Sequence, residues 1–193
     1  MKRLFTILIA FISIQCLAQS QDTTGLKIPY TEGKVIYEEV VDLNGINKQQ
    51  LYYNARQWFI DYFTSSKAVI ENEDKEQGRV IGKGTVNTTV SGFSSTTYPT
   101  GLTVQIDAKD NKYRYKIYDF VITSPEVDLG RMYGKLRAFD FTPERILEDL
   151  AAGRRKTFTK KQARNFLTAF DARIKEMSLS IKKAMLKNNS NDF

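Results

Sequence analysis

Residues 33–63 read GKVIYEEVVDLNGINKQQLYYNARQWFIDYF, and within them the spacing of apolar side chains changes once. Gly33 to Leu43 is rich in Val, Ile and Tyr, the composition of a strand. Asn44-Gly45 supplies the left-handed backbone positions of a tight turn. A helix start follows. Asn47 is a good N-cap, Gln50 completes a capping-box pattern three residues on, and Ile46 and Leu51 stand where a hydrophobic staple needs them. Leu51, Ala55, Trp58, Phe59 and Tyr62 recur at helical spacing and predict a buried stripe, with Lys48, Asn54, Arg56 and Asp61 elsewhere on the wheel and an end near Thr64. A strand that turns sharply into an amphipathic helix must bury that stripe on a sheet, so the next question is where the rest of the sheet comes from.

Period-two segments supply it. Lys67 to Glu73 reads as a short strand, and Asp74 to Gly78 as a polar turn. Arg79 to Val90 sets Val80, Val86 and Val90 on one face with Gly82 and Gly84 between them, and Arg79, Lys83, Thr85, Asn87 and Thr89 on the other. Glycines inside a strand mark a bulge or a close approach, and a helix crossing that face is the favoured reading. Ser91 to Thr100, with Pro99, reads as a turn-rich loop. Leu102, Val104, Ile106 and Ala108 then alternate with Thr103, Gln105 and Asp107. Asp110-Asn111 turns the chain, and Lys112 to Thr123 returns with Tyr113, Tyr115 and Ile117 opposite Lys112, Arg114, Lys116 and Tyr118. Two such runs joined by a short turn are an antiparallel hairpin.

After an irregular passage, Thr142-Pro143 starts a short helix with Pro at its first position. Thr159 and Gln162 open a long one, roughly Lys160 to Leu186, with Phe166, Phe170, Ile174, Met177, Ile181 and Met185 as its apolar stripe. The fold class is therefore α+β: a single antiparallel sheet of about five strands in the order β-α-β-β-β-β-α, with one face covered by two main helices. The domain is expected over residues 33–187, behind a flexible lead-in at 19–32 and ahead of a frayed tail at 188–193.

The first eighteen residues form a separate unit. Lys2 and Arg3 precede an apolar run, Leu4 to Ile14, that is too short to span a bilayer, and Cys16-Leu17-Ala18 offers small residues at the cleavage positions. This is the pattern of a secretory signal peptide cut between Ala18 and Gln19, which places the mature chain in the periplasm or outside the cell. Acylation of Cys16 as a lipoprotein is the rival reading, weakened by Gln15 where a small residue is wanted. Without this segment the chain holds no Cys, and the whole sequence holds no His. Disulfides, thiolate nucleophiles, Ser-His-Asp triads and the usual zinc and haem ligands are thereby excluded. No cofactor and no metal site is expected.

Charge is distributed unevenly. Residues 19–130 carry 12 basic and 15 acidic side chains, whereas residues 131–193 carry 15 basic and 7 acidic. Such asymmetry suits an anionic partner, although a strongly basic helix with a solvated face is the favoured reading.

The segments GKVIYEEV, ARQWF, SSKAVI and GRVIGKGT, followed by KYRYKIYDF, resemble in order and spacing a family of exported bacterial domains of unknown function with a TATA-binding-protein-like fold. The resemblance spans roughly residues 33–122. It implies a TBP-like sheet and supplies no catalytic residues. Nor does the fold name carry nucleic-acid binding, and no nucleic acid is expected: function belongs to sites grafted on folds, and the minor-groove wedges of such a saddle have no counterpart among Lys83, Thr85, Gln105, Arg114 and Lys116, the side chains assigned to the open face.

Other chemistry is thin. Glu38 and Glu39 are adjacent on a strand and point to opposite faces. Asp107, Asp110 and Asn111 lack the Gly and distal Glu of a calcium loop. Gly82-Lys83-Gly84-Thr85 lacks the first glycine of a phosphate loop and lies mid-strand. Three classes of function stay open. One is a non-enzymatic envelope module binding a protein or small molecule, with Lys83, Thr85, Gln105, Arg114 and Lys116 as candidate contacts. A second is tethering to an anionic membrane or polysaccharide through Arg154, Arg155, Lys160 and Lys161. The third is a hydrolase working with carboxylate, Lys or Tyr alone. An exposed sheet edge also offers itself to a second copy of the chain.

Overall fold

The computed structural model of this chain describes residues 25–63, 70–92, 95–128, 130–132, 134–155 and 157–187. The export segment with Cys16, its cleavage point at Ala18 and Gln19, and the tail from 188 lie outside the described residues. In chain order the elements are β1 (Tyr30–Thr31), β2 (Lys34–Val35), β3 (Tyr37–Asp42), α1 (Lys48–Tyr62), β4 (Ile70–Asp74), β5 (Arg79–Val90), β6 (Thr96–Lys109), β7 (Lys112–Thr123), β8 (Val127–Asp128), β9 (Lys135–Leu136), β10 (Asp140–Phe141), α2 (Pro143–Ala151) and α3 (Lys160–Met185).

The main sheet is antiparallel throughout. It runs β4, β5, β6, β7, and then both β3 and the short β10 pair with β7 at different heights. Five long strands and one two-residue strand thus stand where alternation predicts about five. The inward faces of β5, β6 and β7 carry Val80, Val86, Leu102, Val104, Ile106, Tyr113, Tyr115 and Ile117, all buried. The alternation in β7 slips once. Asp119 takes a positive φ of 54° opposite a register shift between Gly101 and Thr103. This bulge turns two successive side chains outward and returns Phe120 and Ile122 to the core.

Three boundaries differ from the sequence reading. The first strand of the main sheet, β3, begins at Tyr37 rather than Gly33; upstream of it Glu32 and Gly33, at φ of 52° and 78°, close the β1–β2 hairpin. Ile28 is buried, so the chain packs from before Gly33. The loop expected over 91–100 is short, because β6 already starts at Thr96. Pro99 suggested a break, yet β6 pairs with β7 only from Thr100 onward. At Pro99 the strand is laddered on the β5 side alone, where a residue without an N–H is tolerated. The irregular passage 124–141 contains a two-stranded arm, β8 paired with β9, and the β10 contact.

α1 and α3 lie side by side on the inner face. Asn47 caps α1 by accepting from the Gln50 N–H at 2.9 Å. Gln50 does not reach back to complete a capping box; its amide donates to Asn54. The β6–β7 hairpin turn satisfies other N–H groups around this helix start: Asp110 Oδ1 accepts from the Lys48 N–H at 2.7 Å, and Asn111 Oδ1 from the Gly45 N–H at 2.9 Å. α3 has both halves of its box, Thr159 with Gln162, and all six residues of its forecast stripe are buried.

Asn54 departs from its expected place on the solvent side of α1. It is 3% exposed, and its amide donates to the carbonyls of Met185 (3.1 Å) and Lys187 (2.8 Å). A side chain from α1 thereby satisfies carbonyls that a helix end leaves free. Asn54→Ala is expected to cost about 2 kcal/mol in urea denaturation, because buried carbonyls lose their donors. A cost below about 0.5 kcal/mol would show that water replaces the amide.

Candidate functional site

On the open face of the sheet, charged and polar side chains of β3, β5, β6 and β7 lie side by side. The structure brings Gln105, Arg114 and Lys116 together around two carboxylates. Asp107 accepts from Arg79 Nε (2.7 Å), Arg114 Nη2 (2.8 Å) and Gln105 Nε2 (2.8 Å). Glu38 pairs with Lys116 at 3.1 Å and with Arg114 at 3.5 Å. Lys83 lies farther along the same face, paired with Glu71 at 3.1 Å, and Thr85 is exposed opposite Gly101. Side chains of opposite sign therefore alternate across neighbouring strands, the arrangement that stabilises cross-strand pairs. Their charges are neutralised locally, so this face presents no concentrated positive field. A recess of about 250 Å³ at its hairpin end is lined by Val40, Asp107, Lys109, Lys112, Tyr113 and Arg114.

Burial alone would raise the pKa of Asp107, but donation from Arg79, Arg114 and Gln105 outweighs it and holds the carboxyl below its usual range. A depressed folded pKa contributes stability that is full above the unfolded value and is lost as pH falls through the folded one. Asp107→Asn is therefore expected to cost about 1–2 kcal/mol at neutral pH, with the surface setting keeping it at the low end. The variant should also lose less stability than the parent on acidification below about pH 4. Parallel acid limbs in a urea series would contradict this.

The basic corner between α2 and α3 is divided. Arg154 Nε bonds Asp149 Oδ1 at 2.8 Å, and Arg145 approaches the same carboxylate at 3.6 Å. Arg155, Lys160 and Lys161 are exposed and form no salt bridge among the described residues.

A larger concavity lies elsewhere, between β3 and α3. It has a volume of about 690 Å³ and is lined by Pro29, Thr31, Ile36 and Tyr37 to Glu39 on one side, and by Lys175, Ser178, Leu179 and Lys182 on the other, with Tyr115 at its floor. Two hydrogen-bonded chains cross it. The Tyr37 hydroxyl donates to Asp171 (2.9 Å), which also pairs with Lys175 (2.6 Å). The Tyr115 hydroxyl donates to Glu39 (2.8 Å), which pairs with Lys182 (2.7 Å). Glu38 and Glu39 thus do serve opposite faces. Burial, then the Asp171 carboxylate, pushes the Tyr37 hydroxyl far up. Burial also raises Tyr115, to about 12, with Glu39 adding to the rise. The bond from Lys182 and that from Tyr115 outweigh burial and hold Glu39 low. Both phenols stay protonated and Glu39 stays ionised near neutral pH, so none of the three is poised to pass a proton there.

What the groove offers instead is surface and backbone. Leu179 is 65% exposed and Ile36 36%. β3 pairs with β7 on one side, and among the described residues no strand pairs along its other side. Leu179 was invisible to the periodicity argument because it falls off the α3 stripe, between Ser178 and Ser180; an apolar residue on the wrong face of an amphipathic helix is the signal that could have found it. Among the described residues no group of three or more Asp, Glu, Cys or His is placed to hold a metal, and no helix is long and apolar enough to cross a membrane.

No curated protein matches this sequence. Two solved structures share the fold. A TBP-like protein from Parabacteroides distasonis superposes with a TM-score of 0.66 at 15% identity, covering 84% of this chain and 99% of its own. A DUF4468 family protein from Bacteroides ovatus gives 0.64 at 15% identity, covering 90% and 99%. At that identity the likeness speaks for the fold alone. Tyr37 to Thr123, from the start of β3 to the end of β7, match the model of a domain of unknown function with a TBP-like fold, and this span of the chain is a DUF4468 domain.

Proposed function

We propose that the protein is a non-catalytic binding module of the bacterial cell envelope, exported by its N-terminal signal, and that it takes an extended segment of a partner protein along β3, in the groove against α3. The observation that carries this reading is the union of an unpaired strand edge with exposed apolar side chains, Ile36 and Leu179, on the wall beside it. An unpaired edge is a template for a further strand, and side-chain pockets next to it give selectivity. The titratable groups of the groove are tied to one another, which favours recognition over proton-transfer chemistry.

The charge of β3 bears on the occupant. Its sequence, Tyr37-Glu-Glu-Val-Val-Asp42, holds three acids and no base; Glu38 and Glu39 are held by Lys116 and Lys182 within the chain, and Asp42 forms no salt bridge among the described residues. Pairing β3 antiparallel with itself about Val40 would set Glu38 against Asp42 of the second copy, and like charges directly opposite destabilise a sheet. A strand bearing Lys or Arg among β-branched residues meets no such penalty.

The test is selection from a displayed library of eight-residue peptides. Enrichment of cationic, β-branched sequences whose binding falls at least about tenfold in Leu179→Glu supports the reading, since a carboxylate would be desolvated on the apolar wall. Failure to enrich any sequence, or binding indifferent to Leu179→Glu, would refute it. A dimer in analytical ultracentrifugation that Leu179→Glu dissociates would transfer the groove to a second copy of the chain.

A further inference from the structure

A different surface, at the end of the sheet where α3 begins, combines exposed apolar side chains with cations that have no ion partner. The β8–β9 arm projects there. Val127 stands opposite Leu136, so both face the same side of the arm. Its loop is closed by the Gly134 N–H donating to the Gly130 carbonyl at 2.8 Å, and between these glycines Met132 is 83% exposed. Leu136 is 57% exposed and Phe139 51%. The arm is fixed at its base, not loose: the Ser124 N–H donates to the Phe139 carbonyl (2.9 Å), and the Phe139 N–H to Ser124 Oγ (3.0 Å). Phe139 packs on Phe141 with centroids 5.8 Å apart, and Phe141 on Phe158 at 5.4 Å. Phe158 directly precedes Thr159, the cap of α3. The base of the arm and the basic corner are therefore neighbours.

The positive charge of this end is concentrated at the corner, because in the arm and its base Glu126, Asp128 and Asp140 balance Arg131, Lys135 and Arg137 in number. In the arm Glu126 is taken by Lys135 (3.3 Å), and Asp128 accepts from the Gly130 N–H. Arg131 and Arg137 form no salt bridge among the described residues, and neither do Arg155, Lys160, Lys161 and Arg164 at the corner. From residue 152 to 164 the sequence contains no acid.

We propose that this end docks on an anionic bilayer surface, with Met132 and Leu136 entering the interface and Arg131, Arg137, Arg155, Lys160 and Lys161 facing acidic headgroups. Cations alone would suit any polyanion, a nucleic acid or a polysaccharide included. Apolar side chains held at the tip of an anchored arm, beside those cations, are the combination that a lipid surface rewards. The inference is independent of the β3 groove.

The experiment is co-sedimentation of the full mature chain with vesicles of phosphatidylcholine carrying about 30% phosphatidylglycerol, against pure phosphatidylcholine, in about 0.1 M salt. The wild type should bind the acidic vesicles and lose that binding as salt rises. Met132→Ser with Leu136→Ser should weaken it roughly tenfold or more, since two apolar side chains leave the interface. Arg155→Gln with Lys160→Gln and Lys161→Gln should weaken it by roughly fivefold per cation. All these side chains are exposed, so unaltered thermal melting serves as the control for folding. Equal binding to both vesicle types overturns the proposal, as does no binding. Wild-type affinity in the Met132→Ser, Leu136→Ser variant overturns it too, leaving a polyanion site. A wild-type dimer that becomes monomeric in that variant also overturns it, assigning the arm to a second copy.

Discussion

Gly84→Ala is expected to destabilise the protein by about 3 kcal/mol, although a methyl group in an ordinary strand position should help. Gly84 sits within β5 with a conventional backbone, and there alanine would reduce the freedom of the unfolded chain and gain about 0.4–1 kcal/mol. The reversal of sign comes from Phe63. A β-carbon on Gly84 would fall within the Phe63 ring, against Cδ1, Cε1 and Cζ. That ring has nowhere simple to go. Phe63 is the C-cap of α1, 7% exposed, and packs on Trp58 (5.8 Å), Phe59 (6.3 Å) and Tyr62 (5.0 Å). Relief requires lifting the last turn of α1 from the sheet. A double-mutant cycle isolates the cause: in a Phe63→Ala background, Gly84→Ala should cost less than about 0.5 kcal/mol. An equal cost in both backgrounds would mean that the glycine is required for some other reason.

Phe166→Ala should be the most damaging single truncation, at about 4 kcal/mol, with a fall in Tm of roughly 10 °C. The ring is 1% exposed and touches Tyr98 (5.1 Å), Phe141 (5.6 Å), Phe158 (5.7 Å) and Phe170 (6.3 Å). These partners belong to β6, to β10, to the segment before α3 and to α3 itself, so one side chain joins four parts of the chain. Such rings add edge and stacking attraction to the area they bury. A loss under about 1.5 kcal/mol in urea denaturation would show that the surrounding rings collapse into the space.

Much of this architecture could be read from the residues because it rests on local periodicity. Period two placed β5, β6 and β7 and told their faces apart, since successive strand side chains point oppositely. Capping chemistry placed Asn47, Thr142 and Thr159, each of which accepts the N–H three residues on. The glycine pair in β5 announced a close approach, and Phe63 fulfils it at Gly84. What escaped depends on partners distant in sequence. Asn54 looked like a solvent-side residue because its ligands lie 131 and 133 positions away. Pro99 looked like a break because the end of its pairing with β7 leaves no trace in the sequence. The open-face cations looked like ligand contacts because Asp107, Glu38 and Glu71, which neutralise them, come from other strands. Leu179 acquires meaning only when α3 is set beside β3.

The open face of the sheet is internally paired, the phenols and Glu39 of the groove keep one protonation state near neutral pH, and β3 keeps an unpaired edge. A module that binds an extended strand uses those properties directly. Amide hydrogen exchange across β3 is the most direct test. With a selected cationic peptide bound, the amides of Glu38 to Asp42 should slow markedly while those of β4, at the opposite edge, keep their rates. Unchanged rates in β3 under saturating peptide, or protection appearing at β4 instead, would contradict the account.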